Sequence, residues 1–170
     1  MTEDDGPSAG RVAVIGLGNR YRRDDGVGVA AAIAMDDLAW PNVVVTTGIA
    51  EPMGVLEAWT GAALAVIIDA AIVTPATPGR IHRYQLDEVP TQAEGLSSHS
   101  IDLGRTHALA RALGRTPDEA MVFAVEAADT GSGDGLTPRV ARAVPVVVGM
   151  VAAEINRFRS GKRSQHAGSR

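Results

Sequence analysis

Short apolar runs alternate with segments of helical periodicity along most of the chain. Uninterrupted apolar runs of four or five residues are typical of buried parallel strands, whereas apolar residues spaced three and four apart indicate a helix with one buried face. The predicted strands are 11–15, 43–47, 64–68, 80–86 and 121–125. The predicted helices are 26–38, 52–59, about 100–113 and 138–158. The alternation predicts an α/β fold, a three-layer sandwich with a mostly parallel, five-stranded twisted sheet and helices on both faces.

Proline positions and polar composition refine this outline. Pro52 suits the first position of a helix, and Thr137-Pro138 suits the cap and first position of the last helix, which Pro145 is expected to kink or split. The mixed polar pattern of 80–86 predicts an edge strand. We expect residues 1–10 to form a mobile N-terminal arm, 11–159 a single domain, and 160–170 a disordered basic tail.

Composition narrows the function classes. The chain has 170 residues, of which 45% are apolar and 21% charged, as in a globular protein of one domain. It has no cysteine, which excludes disulfides, thiolate metal sites and a cysteine nucleophile and fits the reducing cytoplasm, where we expect the protein to act. The net charge is −4, and it is −9 without residues 157–170, which argues against a nucleic-acid partner.

The apolar pattern also bears on membranes and self-association. No apolar stretch approaches the ~20 residues that a bilayer requires, so we expect no membrane span. The N-terminus carries acidic residues where a secretory signal would be basic. No long apolar stripe is left without a place in the predicted core, and this predicts a monomer.

Chemically useful side chains cluster at one predicted edge of the sheet. In an open α/β sheet the functional site forms at the carboxyl ends of the strands. There the sequence places three acidic segments and one histidine: Asp24 and Asp25 after the first strand, Asp69 after the third, His99 before the third helix, and Glu126 after the fifth.

Carboxylates together with one imidazole suit a borderline divalent metal that keeps coordination positions open for substrate or water. Each residue also has a simpler interpretation. Asp24 or Asp25 could cap the first helix, Asp69 could form a turn, and Ser97-Ser98-His99 could cap the third helix. Their convergence on one edge favours the metal-site hypothesis.

Other motifs give weaker evidence of function. Gly16-x-Gly18 follows a strand as in dinucleotide-binding proteins, but the third glycine of that motif would fall on Tyr21, and Asp24-Asp25 would repel a pyrophosphate. No role is assigned to the three other histidines, His82, His107 and His166. His82 lies on the predicted edge strand, away from the rim that the carboxyl ends of the parallel strands form.

The segments Gly16–Asn19 and Asp24–Gly28 resemble the opening signature of the hydrogenase maturation proteases. The resemblance covers roughly residues 11–158 through further matching segments: Gly48–Glu51, Val66–Ala70, Ser97–Leu103, Glu126 and Gly135–Pro138. It implies an endopeptidase that removes the C-terminal extension of a nickel–iron hydrogenase large-subunit precursor after nickel has been inserted. Residues 72–95 match the family pattern poorly.

The resemblance also implies roles for individual residues. It matches Asp25, Asp69 and His99 to the family's metal ligands, which would recognise the nickel supplied by the precursor, or another divalent metal in vitro. Some members have glutamate at the first position, and Asp25 keeps the ligand type although it is one methylene shorter. The residues expected to bind substrate or support the site are Gly18, Asn19, Asp24 and Glu126.

The sequence is compatible with more than one mechanism and more than one function. Asp25, Asp69 and His99 could hold nickel that polarises the scissile carbonyl, or Asp25 or Asp69 could act as a general base. The same cluster would also suit a nickel-sensing or nickel-binding assembly module without hydrolytic activity. A general hydrolase on a phosphorylase-like scaffold is a third hypothesis, against which the acidic rim argues.

Overall fold

Five strands form one sheet in the order β2-β1-β3-β5-β4 in the computed structural model, which describes residues 10–88 and 102–167. The strands are β1 (Val12–Gly16), β2 (Val43–Thr46), β3 (Leu64–Ala71), β4 (Ile81–Gln85) and β5 (Glu119–Glu126). β4 pairs antiparallel with β5 at one edge, and all other pairings are parallel. The predicted α/β fold with a mostly parallel five-stranded sheet is confirmed.

Four helices cover the two faces of this sheet. They are α1 (Val27–Asp37), α2 (Pro52–Trp59), α3 (Leu103–Ala112) and α4 (Pro138–Ala167). α1 and α4 pack on one face against alternate strand residues such as Val14, Val66 and Phe123. α2 and α3 pack on the other face, against the intervening strand residues, such as Ile67 and Val122. All eight residues of β3 are buried, as expected of a central strand covered on both sides.

α4 is not split at Pro145, and it extends beyond its predicted end at residue 158. It is a single helix through Pro145, because Pro145 and Ala141 are both exposed and water can hydrate the carbonyl that loses its N–H partner. It also continues to Ala167, into the segment for which the sequence predicted a basic tail. Lys162 lies 3.4 Å from Asp118 there and links the end of α4 to the start of β5. The predicted N-terminal arm lies outside the described residues, apart from Gly10.

No helix in the two described ranges is long and apolar enough to cross a bilayer.

The third helix begins later than expected, at Leu103, because the Asp102 side chain caps it by accepting a hydrogen bond from the Arg105 N–H (3.0 Å). Ser98, considered above as a cap, lies outside the described residues.

Two glycines allow α1 to lie directly on the strand ends. A Cβ on Gly28 would lie 2.2 Å from the Ile68 carbonyl oxygen, and a Cβ on Gly16 would lie 2.5 Å from the Gly28 carbonyl oxygen. Neither distance is possible for a real side chain, so backbone meets backbone at this point. The start of α1 is thereby fixed against the carboxyl ends of β1 and β3.

A buried carboxylate joins the β1–α1 loop to the β5–α4 loop. Asp24 is fully buried in a 3₁₀ turn (Arg23–Gly26), and its side chain accepts hydrogen bonds from the N–H groups of Ala128 (2.8 Å), Asp129 (3.0 Å) and Thr137 (2.7 Å). The Thr137 hydroxyl donates to the same carboxylate. These bonds join residues more than 100 positions apart in the sequence.

We expect Asp24→Ala to lower the free energy of unfolding by about 3 kcal/mol, because several buried donors lose their charged acceptor at once. This corresponds to a fall in Tm of roughly 6–12 °C for a domain of this size. Thermal and urea unfolding measure it. Asp37→Ala, which removes an exposed carboxylate from the end of α1, is the matched control and should change the stability by less than about 0.5 kcal/mol. Equal stability of the two variants would contradict the assigned role of Asp24.

Candidate functional site

The strand order creates a crevice at the carboxyl ends of β1 and β3. From β1 the chain moves outward to β2 and then returns to β3 on the other side, and ligands bind at such a switch point in open α/β sheets. β1 ends at Gly16, which pairs with Ile68, so Asp69 is the first residue of β3 beyond the end of β1. The crevice therefore contains Asp69 and the loop that follows β1.

Asp69 is a fully buried carboxylate with an unsatisfied oxygen. It lies inside β3 rather than just after it, because pairing with β5 extends β3 to Ala71. Its Oδ1 accepts a hydrogen bond from the Ala70 N–H (2.8 Å), and its Oδ2 has no partner among the described residues. Burial raises the pKa of Asp69 to about 7, the Ala70 N–H opposes this, and the nearby charge of Asp25 adds to it. Such an orphaned polar atom leaves room for a partner that the described residues do not supply.

Asp25 is held by the loop that follows β1. Its Oδ2 accepts a hydrogen bond from the Asn19 N–H (2.8 Å), and Asn19 in turn accepts one from the Tyr21 N–H (2.9 Å). Gly18 has a φ of +111°, and a Cβ there would lie 1.9 Å from the Asp25 carbonyl oxygen. Gly18 and Asn19 thus position Asp25, which fits the supporting role expected of both.

The two adjacent aspartates have different surroundings, and neither caps α1. The residue before α1 is Gly26, which has no side chain to cap the helix, and among the described residues neither aspartate makes a cap hydrogen bond to it. Asp24 binds the β5–α4 loop, whereas Asp25 faces the crevice and interacts electrostatically with Asp69. The structure thus brings Asp25 and Asp69 together and gives Asp24 a structural role.

A cavity of about 520 Å³ opens beside Asp25. It lies between α1, the β1–α1 loop and the β2–α2 loop, and Val29 and Ile33 contribute an apolar wall. Tyr21 and Ile33, 62% and 47% exposed, are among the most exposed large apolar residues of the described chain. The candidate site therefore has room for a polymeric substrate next to its carboxylates.

Glu126 supports the neighbouring loop. It ends β5 and accepts hydrogen bonds from the Thr77 N–H (3.0 Å) and the His82 ring (2.8 Å), with Arg80 at 3.9 Å. Burial alone would raise the pKa of Glu126, but the Thr77 N–H, the His82 ring and Arg80 together hold it below its usual value. All of these partners belong to the β3–β4 loop or to β4.

The prediction that His82 lies away from the rim is wrong. β4 runs antiparallel, so its first residues reach the carboxyl ends of the parallel strands. His82 pairs with Ala124, which also pairs with Asp69, so both residues lie in one row across the sheet. The polar pattern of 80–86 indicated an edge strand but did not determine its direction, and the direction decides where His82 lies.

The third candidate ligand, His99, lies outside the described residues, as do Ser97 and Ser98. Within residues 10–88 and 102–167, no group of three or more histidine, aspartate or glutamate side chains is arranged to hold a metal. The described part of the site is thus the Asp25–Asp69 pair, and the place of His99 stays a prediction.

The family model for hydrogenase maturation proteases (HycI) matches residues 30–154. This chain belongs to the hydrogenase maturation protease family. The matched range includes Asp69 and Glu126. It begins after Asp25, which the site geometry places near Asp69. No curated protein matches the chain in a sequence search.

Solved structures of similar fold come from the same family. HybD, the hydrogenase maturating endopeptidase of Escherichia coli, is 23% identical, with a TM-score of 0.76 over 86% of this chain and 93% of HybD. HybD of Thermococcus kodakarensis, a [NiFe] hydrogenase maturation protease, is 24% identical, with a TM-score of 0.72 over 85% of this chain and 99% of that one. At this identity the likeness establishes the fold.

Family membership makes this protein an endopeptidase that acts in hydrogenase maturation. It favours the protease hypothesis over a binding module without hydrolytic activity and over a general hydrolase. The Asp25–Asp69 pair at the β1–β3 crevice is the candidate active site of this maturation protease.

We expect Asp69→Asn to stabilise the protein at neutral and alkaline pH. Because the pKa of Asp69 is raised in the folded state from 3.8 to about 7, the folded chain binds the proton more tightly, and the wild type loses a few kcal/mol of stability as the pH rises between these values. Asparagine resembles the protonated acid and avoids this loss. Thermal unfolding in chelator should give similar Tm values at pH 4 and a higher Tm for the variant at pH 8.

Asp37→Asn, at an exposed position of α1, is the control and should follow the wild type at every pH. A parallel pH profile for Asp69→Asn and the wild type would show that Asp69 ionises normally in the folded state and would overturn this description of the site.

Proposed function

We propose that this protease removes the C-terminal extension of a nickel–iron hydrogenase large-subunit precursor once nickel has been inserted, and that it recognises the bound nickel. One observation carries the proposal: the Oδ2 atom of Asp69, beside Asp25 at the β1–β3 crevice, is buried and has no hydrogen-bond partner among residues 10–88 and 102–167. A divalent cation is a partner that this pair of carboxylates suits. Nickel enters as part of the substrate, and His99 is proposed as the third ligand.

The electrostatics of the pair make recognition depend on the metal charge. With the pKa of Asp69 raised to about 7, an empty precursor meets a site in which Asp69 is largely protonated below that pH. A cation offsets the cost of ionising a buried carboxyl group beside a second one. The nickel-loaded precursor can therefore bind to the ionised form of Asp69, which the empty precursor does not stabilise.

Asp25 is the better placed of the two for proton transfer. It borders the cavity, whereas Asp69 is enclosed within β3. In the proposed hydrolysis, water adds to the scissile carbonyl carbon that nickel polarises, Asp25 takes the proton from the water, and the proton passes to the departing amine as the C–N bond breaks. The chain has no cysteine, so a thioester intermediate is excluded.

The decisive measurement is the intact mass of a large-subunit precursor, loaded with nickel or free of nickel, after incubation with the protease. We expect loss of a C-terminal peptide from the loaded form only. Asp69→Asn and His99→Ala should reduce cleavage by at least about a hundredfold, since each removes a proposed nickel ligand. His107→Ala, which removes a histidine from α3, should cleave at the wild-type rate.

The alternatives give different results in the same assay. Equal cleavage of both precursor forms would overturn nickel recognition while leaving the protease assignment intact. Tight association with the loaded form without cleavage would favour the nickel-binding module. Full cleavage by both Asp69→Asn and His99→Ala would overturn the site.

A further inference from the structure

The cavity beside Asp25 continues into a second groove. The second groove has a volume of about 620 Å³ and lies along α2 and the β2–α2 loop. Both are lined by Gly48, Ile49 and Ala50, so they meet at this segment and form one surface that leads away from Asp25. We call this combined surface the α1–α2 groove.

The two ends of the α1–α2 groove carry opposite charge. Arg20 and Arg22 line the end beside Asp25, and among the described residues neither guanidinium forms an ion pair. Arg20 instead lies over the Tyr21 ring, 5.2 Å from its centroid. Glu51 and Glu57 line the far end, along α2.

Apolar side chains line the groove between its charged ends. Ile33 and Val29 form the wall that α1 contributes, and Ile49 lies where the two cavities meet. Met53, 42% exposed, continues the apolar surface along α2. Exposed apolar side chains inside a concave surface indicate a binding site rather than ordinary surface.

The dimensions and position of the groove decide what can occupy it. Cavities of this size accept ligands of a few residues, so an extended peptide fits, whereas a folded domain does not. If nickel in the folded body of the precursor lies at Asp25 and Asp69, the chain that continues past the scissile bond must leave along the surface next to Asp25. The α1–α2 groove is the described surface that begins there.

The geometry points to the α1–α2 groove as the binding site for the C-terminal extension of the precursor, and this inference rests on the proposed function. The matching extension has an acidic side chain at Arg20 and Arg22, an apolar side chain against Val29 and Ile33, and a basic side chain toward Glu51 and Glu57. Charges at the two ends of a groove determine the direction and register of a bound peptide. This charge pattern would let the protease distinguish its own precursor from others.

The test uses full-length protease and nickel-loaded precursor, after the wild type has been shown to cleave it. We expect Arg20→Glu/Arg22→Glu to raise KM about tenfold with little change in kcat, because the variant repels the acidic side chain without altering the carboxylate pair. Arg142→Glu, which reverses an exposed charge on α4, is the control and should leave both constants unchanged.

A charge-swapped substrate makes the test specific. In a series of precursors, each of the first six extension residues is replaced in turn by lysine or glutamate. At one position, lysine should impair cleavage by the wild type and restore cleavage by Arg20→Glu/Arg22→Glu. At a position further along, glutamate should impair the wild type and restore cleavage by Glu51→Lys/Glu57→Lys.

The outcomes of these experiments separate a failure of the groove assignment from a failure of the proposed endopeptidase function. No cleavage by the wild type would overturn the proposed function itself. Cleavage by the wild type with unchanged KM in both charge-reversal variants would overturn the groove assignment and leave the proposed function standing. A fall in kcat alone would also overturn it, because that result would place the arginines at the reacting bond.

Discussion

The fold and the site both depend on the carboxylate of Asp24. A buried charge is costly unless it is fully hydrogen-bonded, and Asp24 meets this condition through the N–H groups of Ala128, Asp129 and Thr137 and a hydroxyl. The bonds fix the β1–α1 loop to the start of α4. Since that loop also carries Asp25 and forms a wall of the cavity, the position of Asp25 follows from that of its neighbour Asp24.

Two buried carboxylates, Asp24 and Asp69, illustrate how the surroundings of a side chain decide between a structural and a binding role. The oxygens of Asp24 are satisfied within the chain, and this contributes stability. Asp69 is equally buried but has an oxygen without a partner among the described residues and a raised pKa, so it costs stability in the free protein. A cation at the Asp25–Asp69 pair would offset this cost, because it would stabilise the ionised form of Asp69.

Much of this architecture could be predicted from local pattern. The apolar runs at β1, β3 and β5 and the proline at the start of α2 identified those elements, because burial and proline chemistry act over a few residues. The failures concern properties that depend on neighbouring strands. Pairing with β5 placed Asp69 inside β3 rather than in a turn, and the antiparallel direction of β4 brought His82 to Glu126. Local pattern did not distinguish Asp24 from Asp25, and only the family resemblance separated them, because their difference arises from loops more than 100 residues away.

The contact between Gly16 and Gly28 has a consequence for divergence within the family. At the ends of β1 and β3, α1 is in close contact mainly through main-chain atoms, together with the methyl group of Ala32 beside Gly16. Apolar residues elsewhere in the core can therefore be exchanged without displacing Asp25 relative to Asp69. This helps to explain how two HybD proteins that share only 23% and 24% of their residues with this chain retain its fold with TM-scores of 0.76 and 0.72. In this chain, the position of Asp25 relative to Asp69 therefore depends on glycine backbone in close contact more than on the exact packing of the core.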